Sequence, residues 1–134
     1  MQLELLTGAH AVCRFEPGAH VPAWAQPAEG AEANALFSFT RTSEELSIVC
    51  PEELVPADAD RSGEWRALRV AGTIEHGTTG VLASLATPLA EAAIPIFVVS
   101  TFDTDYLLVP GSGLGAAIRA LRVGGHEVDH PEGA

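Results

Sequence analysis

The sequence contains no lysine: its 7 basic residues are all arginines, set against 18 acidic ones, for a net charge of −11. A field of that sign repels phosphate backbones and anionic lipid headgroups, so neither nucleic acid nor a membrane surface is an expected partner. Sole reliance on arginine points to codon usage in a GC-rich, and therefore bacterial, genome more than to chemistry. Aromatics are scarce, at 6% of the chain, and cysteine occurs only as Cys13 and Cys50. Both sit in apolar runs, "AHAVCRF" and "LSIVCP", and read as small buried fillers with their thiols reduced. No apolar run approaches the ~20 residues that a bilayer span needs. The opening "MQLELL" lacks the basic stretch of a secretion signal, so a cytoplasmic protein is expected.

What is present is enough to build a core. With 47% apolar residues in 134, the chain fits one ordinary domain or two very small ones sharing a core. In the second half, "EWRALRV" (64–70) alternates as a strand does. "TTGVLASLATPLAEAAI" then carries a helical stripe through Val81 or Leu82, Leu85, Leu89 and Ala92 or Ala93, with Thr78 or Thr79 as the expected N-cap. Pro88 lies inside that run and predicts a kink or a loose turn, because it removes an N–H. "IPIFVVSTF" and "YLLVP" read as a hairpin, with "DTD" as its turn. "GSGLGAAIRALRV" gives a second helix with Leu114, Ile118 and Leu121 inward. Gly124-Gly125 stops it before a last short strand. The order β-α-β-β-α-β predicts a ferredoxin-like α+β unit, an antiparallel sheet with both helices on one face.

The first half repeats this in shortened form. "HAVCRF" reads as a strand, "VPAWAQ" as a helix stub, "PAEGAEANA" as an exposed loop, and the run from Phe37 to Leu54 as a hairpin. A gapless overlay pairs Phe37 with Phe97, Val49 with Val109 and Leu54 with Leu114, an offset of 60 residues. "PADADRSGE" (56–64) is the expected linker. Two units in tandem follow: a truncated N-terminal one at 1–60, a complete one at 61–130, and a tail at 131–134.

The segment "STFDTDYLLV" (100–109) holds the sharpest functional question, since Asp103 and Asp105 flank a threonine between apolar runs. They are turn formers at a hairpin corner or acceptors for a cationic ligand; a second catalytic segment for acid–base work is lacking. The candidate metal donors His10, Cys13, His20, Cys50, His76, His126 and His130 show no compact ligand spacing, so no metal and no cofactor is expected. "GSGLGAA" lacks the third glycine of a dinucleotide loop and the Gly-Lys-Ser/Thr of a P-loop. Trp24 and Trp65 read as core or interface anchors, and Trp24 alternatively as a pocket wall.

The stretch from Glu64 to Val109, above all "STFDTDY", and more weakly "LSIVCPEE", resembles small bacterial tandem ACT-domain proteins. These are related to aspartokinase regulatory domains and to cytosolic arginine sensors. The resemblance implies a non-catalytic module that binds a free amino acid where ACT units meet, within a chain or across a homodimer, and acts on a protein partner. Carried over by position, the ligand residues are Gly80 and Val81 at the helix entry, with the adjoining Thr79, and Ser100, Thr101 and Phe102 at the hairpin; Asp103 and Asp105 join them as carboxylates able to pair with an ammonium or a basic ligand side chain. Helix-start amides would meet the ligand carboxylate, and the Thr101 hydroxyl and the aspartates its ammonium. "EHGTTGV" departs from the family by placing His76 and Gly77 ahead of the helix, and "PGSGLG" replaces a charged loop. The competing classes are a dimerisation module with an empty pocket and a small enzyme on the same scaffold.

Overall fold

A computed structural model describes residues 1–27 and 35–129. They form eight strands and two α-helices: β1 (Gln2–Leu5), β2 (His10–Phe15), β3 (Ser38–Arg41), β4 (Leu46–Pro51), β5 (Arg61–Val70), α1 (Val81–Glu91), β6 (Phe97–Ser100), β7 (Asp105–Pro110), α2 (Leu114–Val123) and β8 (Glu127–Asp129). Single 3-10 turns lie at Ala23–Ala25, Glu52–Leu54 and Gly111–Gly113. The fold is the expected mixed α+β type.

Two units are distinguishable, and their boundary differs from the one drawn at residue 60. Thr7–Trp65 forms one unit, whereas Met1–Leu6 groups with the chain from Arg66 on. The expected linker is also displaced, because Arg61–Glu64 belongs to β5 and its start pairs with β2. That pairing carries a bulge between His10 and Val12. At the bulge Glu64 adopts φ 61°, and the Glu52 carboxylate packs against Gly63, where a Cβ would push that flexible side chain aside.

The larger unit has strand order β6-β7-β5-β1-β8. A ferredoxin-like unit built from β5, β6, β7 and β8 would set β8 directly beside β5. Here β1 is inserted between them, antiparallel to β5 (Leu3 opposite Val70) and parallel to β8 (Leu3 opposite Val128). Alternate residues of these strands, Leu3, Leu5, Leu68, Val70, Leu107 and Val109, share one buried cluster with Leu85 and Leu89 of α1 and Ala117, Ile118 and Leu121 of α2. Both helices therefore lie on the same sheet face.

In the smaller unit β3, β4, β2 and the first residues of β5 pair in that order. Ala11, Cys13, Leu46, Ile48 and Cys50 form its core with Ala25 and Val55. Trp24 packs on that cluster with its ring 6.0 Å from Phe15, so it is a core residue of the 3-10 turn that replaces the expected helix stub. Most of "PAEGAEANA" lies outside the described residues.

The internal repeat is present, but offset by 59 residues instead of 60. Pro51 and the 3-10 turn at Glu52–Leu54 correspond to Pro110 and the 3-10 turn at Gly111–Gly113. The turns Thr42–Glu45 and Thr101–Thr104 are likewise closed by the same backbone bond, at 2.9 and 2.8 Å. A slip of one residue exchanges sheet faces, so the overlay paired Val49 with Val109 where its counterpart is Leu108.

Helix α1 departs from expectation at both ends and in the middle. Its N-cap is Gly80, at φ 79°, with no side-chain cap, instead of Thr78 or Thr79. The carbonyl that receives the first helical bond, from the Ser84 N–H at 2.9 Å, is that of Gly80, and its left-handed backbone suits glycine. The helix runs unbroken through Pro88, which leaves the Ser84 carbonyl without its i+4 donor. His126, 7% exposed, supplies one: its Nε2 lies 2.9 Å from that oxygen and donates to it. At the C-terminus the Ala93 N–H bonds Ala90 and the Ile94 N–H bonds Leu89, both at 2.9 Å, a Schellman closure that forces Ala93 to φ 58°. α2 ends with the same closure, but there Gly125 takes the positive φ.

Two stability outcomes follow from these helix ends. Ala93→Gly should stabilise the protein by about 0.5–1 kcal/mol in denaturant unfolding, the left-handed penalty on alanine exceeding the added chain entropy of glycine. His126→Ala should cost about 1 kcal/mol by removing the donor to the part-buried Ser84 carbonyl, and should cost less in a Pro88→Ala background, where the restored N–H reaches Ser84.

Candidate functional site

The larger unit contains an open crevice of about 320 Å³ between the β5–α1 loop, the first turn of α1 and the β6–β7 turn. Three interactions bring these segments together. The Ile74 N–H donates to the Asp103 carbonyl at 2.7 Å. The His76 Nε2–H donates to the Phe102 carbonyl at 2.6 Å, while the two rings meet edge to face with centroids 4.4 Å apart. Thr104, the residue between the two aspartates, is buried, and its hydroxyl donates to the Val70 carbonyl at 2.7 Å. The hairpin corner is thus tied to the end of β5 from beneath and to the β5–α1 loop from above.

Of the residues expected at the site, Gly80, Val81, Ser100, Thr101, Phe102, Asp103 and Asp105 all line this crevice. Thr79 is not among the lining residues. Asp103 lies in the turn, whereas Asp105 opens β7 opposite Ser100, so the strand does not continue through both. The Thr101 hydroxyl is committed to the turn, donating to the Thr104 carbonyl at 3.1 Å and accepting from the Thr104 N–H at 3.2 Å. That engagement uses its one donor and one of its two acceptor lone pairs, which leaves a single lone pair for the expected ammonium contact. Ile74, Glu75, His76, Thr78, Leu82 and Thr104 complete the wall. His76 was legible in the sequence only as a departure from the family pattern.

The polarity of the crevice is divided between two walls. On one, the amides of Val81 and Leu82 fall within the helix turn whose N–H groups have no intrahelical acceptor, and Gly80 supplies no side-chain cap. Such amides favour a carboxylate. The other wall carries the carboxylates of Glu75, Asp103 and Asp105, with His76 as the single basic lining residue. The Phe102 ring, 81% exposed, stands at the mouth. This arrangement complements a zwitterion, with excess negative charge left for a further cationic group.

Among the described residues no group of three or more His, Cys, Asp or Glu side chains is placed to hold a metal ion. His130 lies outside them. Cys13 and Cys50 are buried and unoxidised. Burial pushes the Cys50 thiol up to about 12, and the neighbouring Cys13, to which it hydrogen-bonds, acts in the same direction. Burial also raises Cys13. Both are fillers without nucleophilic character. No helix among the described residues is long and apolar enough to cross a membrane.

A sheet with both helices on one face and a crevice at the entry to the first helix defines a domain of the ferredoxin-like α+β class. The ACT-domain family model matches residues 61–123, so that segment is an ACT domain, and a model of an N-terminal domain matches residues 8–58. It is 36% identical over 101 residues to the Bos taurus cytosolic arginine sensor for mTORC1 subunit 1, a match covering 69% of this chain and 31% of the sensor. The Homo sapiens sensor is 36% identical over 95 residues, 65% of this chain and 29% of its own length. The chain therefore spans less than a third of these relatives. Among solved structures, the Agobacterium tumefaciens protein Atu0741 superposes with a TM-score of 0.85 at 33% identity, covering 99% of this chain and 96% of its own. The ligand-free regulatory subunit of aspartate kinase from Thermus thermophilus shares the fold, with a TM-score of 0.57 at 13% identity over 91% of this chain and 95% of its own.

The raised thiols carry a pH dependence. In the unfolded chain Cys50 ionises from its ordinary value of 9.0, whereas in the folded chain it stays neutral until about 12. Its contribution is fully present below pH 9 and is lost as the pH climbs toward 12. Urea midpoints should fall across that window, and less steeply in Cys50→Ala. A thiol reagent should leave the native protein unlabelled and modify both cysteines on unfolding.

Proposed function

We propose that the chain is a non-catalytic regulatory module that binds a free cationic amino acid, arginine first among them, in the crevice at the start of α1. The observation that carries this reading is the juxtaposition of uncapped α1 amides with the carboxylates of Asp103 and Asp105 around a single crevice. The amides of Val81 and Leu82 take the ligand carboxylate, and Asp105, half-buried at the head of β7, takes its ammonium. Asp103 and Glu75, both exposed, remain for a positively charged side chain, with no arginine in the lining to oppose it. Ser100 leaves room at the base, and the Phe102 ring closes over the ligand stem. The arginine that the similar sensors of Bos taurus and Homo sapiens carry in their names agrees with this charge balance. Nothing in the crevice supplies a general base paired with a nucleophile, which favours sensing over turnover.

Binding that orders the Gly80–Val81 entry stabilises whichever assembly of the protein holds the ligand more tightly. A partner or a second copy would read the amino-acid level through that difference.

Isothermal titration calorimetry with the twenty amino acids tests the proposal. Arginine should bind with one site per chain and raise the unfolding free energy by about 2.7 kcal/mol at 100 times its Kd. Citrulline, which keeps the shape and loses the charge, should bind at least about tenfold more weakly, and Asp105→Ala should weaken arginine about 10- to 100-fold. Heat from none of the twenty would overturn the reading in favour of a dimerisation module.

A further inference from the structure

The smaller unit contains the counterpart of the crevice, and the chain fills it itself. In the larger unit the hairpin β6–β7 pairs through β7 with β5, and the crevice lies between the hairpin turn and the loop that leaves β5. In the smaller unit the hairpin β3–β4 pairs through β4 with β2, so the equivalent place lies between the Thr42–Glu45 turn and the loop that leaves β2. The two turns share three bonds, one between backbone groups and two through the threonine hydroxyl, and Thr42 Oγ1 also accepts from the Glu44 N–H at 3.1 Å. Thr42 Oγ1 accepts from the Glu45 N–H at 3.2 Å and donates to the Glu45 carbonyl at 3.4 Å, as Thr101 does with Thr104 at 3.2 and 3.1 Å. The residue just before each threonine ends the outer strand. It is Ser100 in the larger unit and Arg41 in the smaller.

Where Ser100 leaves the crevice open, Arg41 crosses the gap. Its Nη1 donates to the Pro17 carbonyl and its Nη2 to the Ala19 carbonyl at 2.8 Å, both in the loop after β2. Each terminal nitrogen of the planar fork thus meets its own acceptor on a backbone turned by the Ala19 N–H to Glu16 bond. We propose that Arg41 is an internal ligand. The smaller unit is a latent guanidinium site occupied by the chain's own side chain, and the larger unit is the one open to an external amino acid. The parallel with an external ligand rests on the reading of the larger unit's crevice given above, whereas the self-occupied site rests on Arg41 and its loop alone.

The test is chemical rescue followed by thermal unfolding. Arg41→Ser gives the smaller unit the residue that the larger one carries at the same place, and should lower the melting temperature by about 3 °C. Millimolar methylguanidinium chloride should restore most of that loss saturably, and raise the variant more than it raises the unaltered protein. Methylammonium chloride at equal ionic strength should not. Equal responses to the two salts, or no response, would overturn the proposal. Arg41→Lys keeps the charge without the fork and guards against a poorly folded serine variant. It should lose part of the stability and ignore methylguanidinium, and a melting temperature equal to that of the unaltered protein would equally count against the proposal. Absence of arginine binding by calorimetry would sink the functional reading of the larger unit while leaving the rescue result to decide on Arg41.

Discussion

The hydroxyl of Thr104 on the Val70 carbonyl is the contact on which the site depends. It fixes the hairpin corner to the end of β5, and through that corner sets Asp103 and Asp105 against the start of α1. A buried hydroxyl that has left water must find a partner, so the bond selects one corner geometry. The Thr101 clamp then shapes the turn, and the Ile74 and His76 bonds draw the β5–α1 loop over it. The uncapped start of α1 and the acidic corner are thereby held around one crevice by hydrogen bonds within the chain itself.

Much of this was legible in the sequence, for reasons that can be named. The stripe of Leu114, Ile118 and Leu121 and the alternation of β5 reflect burial on one face, which composition alone reveals. The hairpin corner was visible because "DTD" interrupts two β-branched runs, and seven of the eight expected ligand residues line one crevice. What escaped was long-range. "QLEL" alternates in the same way whichever strands flank it, so nothing in β1 announces that it lies between β5 and β8. Pro88 looked like a breaker because its compensation, His126, lies 38 residues further on. The repeat was found one residue out of step because alternating strands match one another nearly as well at neighbouring offsets.

Asp103 lies in the turn and Asp105 opens β7, while Thr101 and Thr104 make the side-chain bonds of the corner; both aspartates line the crevice. The same economy holds in the smaller unit, where Thr42 builds the turn and the adjoining Arg41 reaches across it. At the matching position before each threonine the larger unit carries Ser100 and the smaller one Arg41, and the net charge of −11 sets a field that attracts cations to the chain as a whole.

The insertion of β1 makes the larger unit discontinuous along the chain. A gene fragment starting at Arg66 would encode both helices and most of the sheet, yet would lack an interior rung, leaving β5 and β8 each with a bare ladder edge. During synthesis the first strand must likewise wait for β8, translated more than a hundred residues later, before both its sides are satisfied. Severing the chain between its two units would therefore yield an incomplete half, and a permutant that carries "QLEL" after β8 would need a crossover connection of about a dozen residues, because those two strands run parallel.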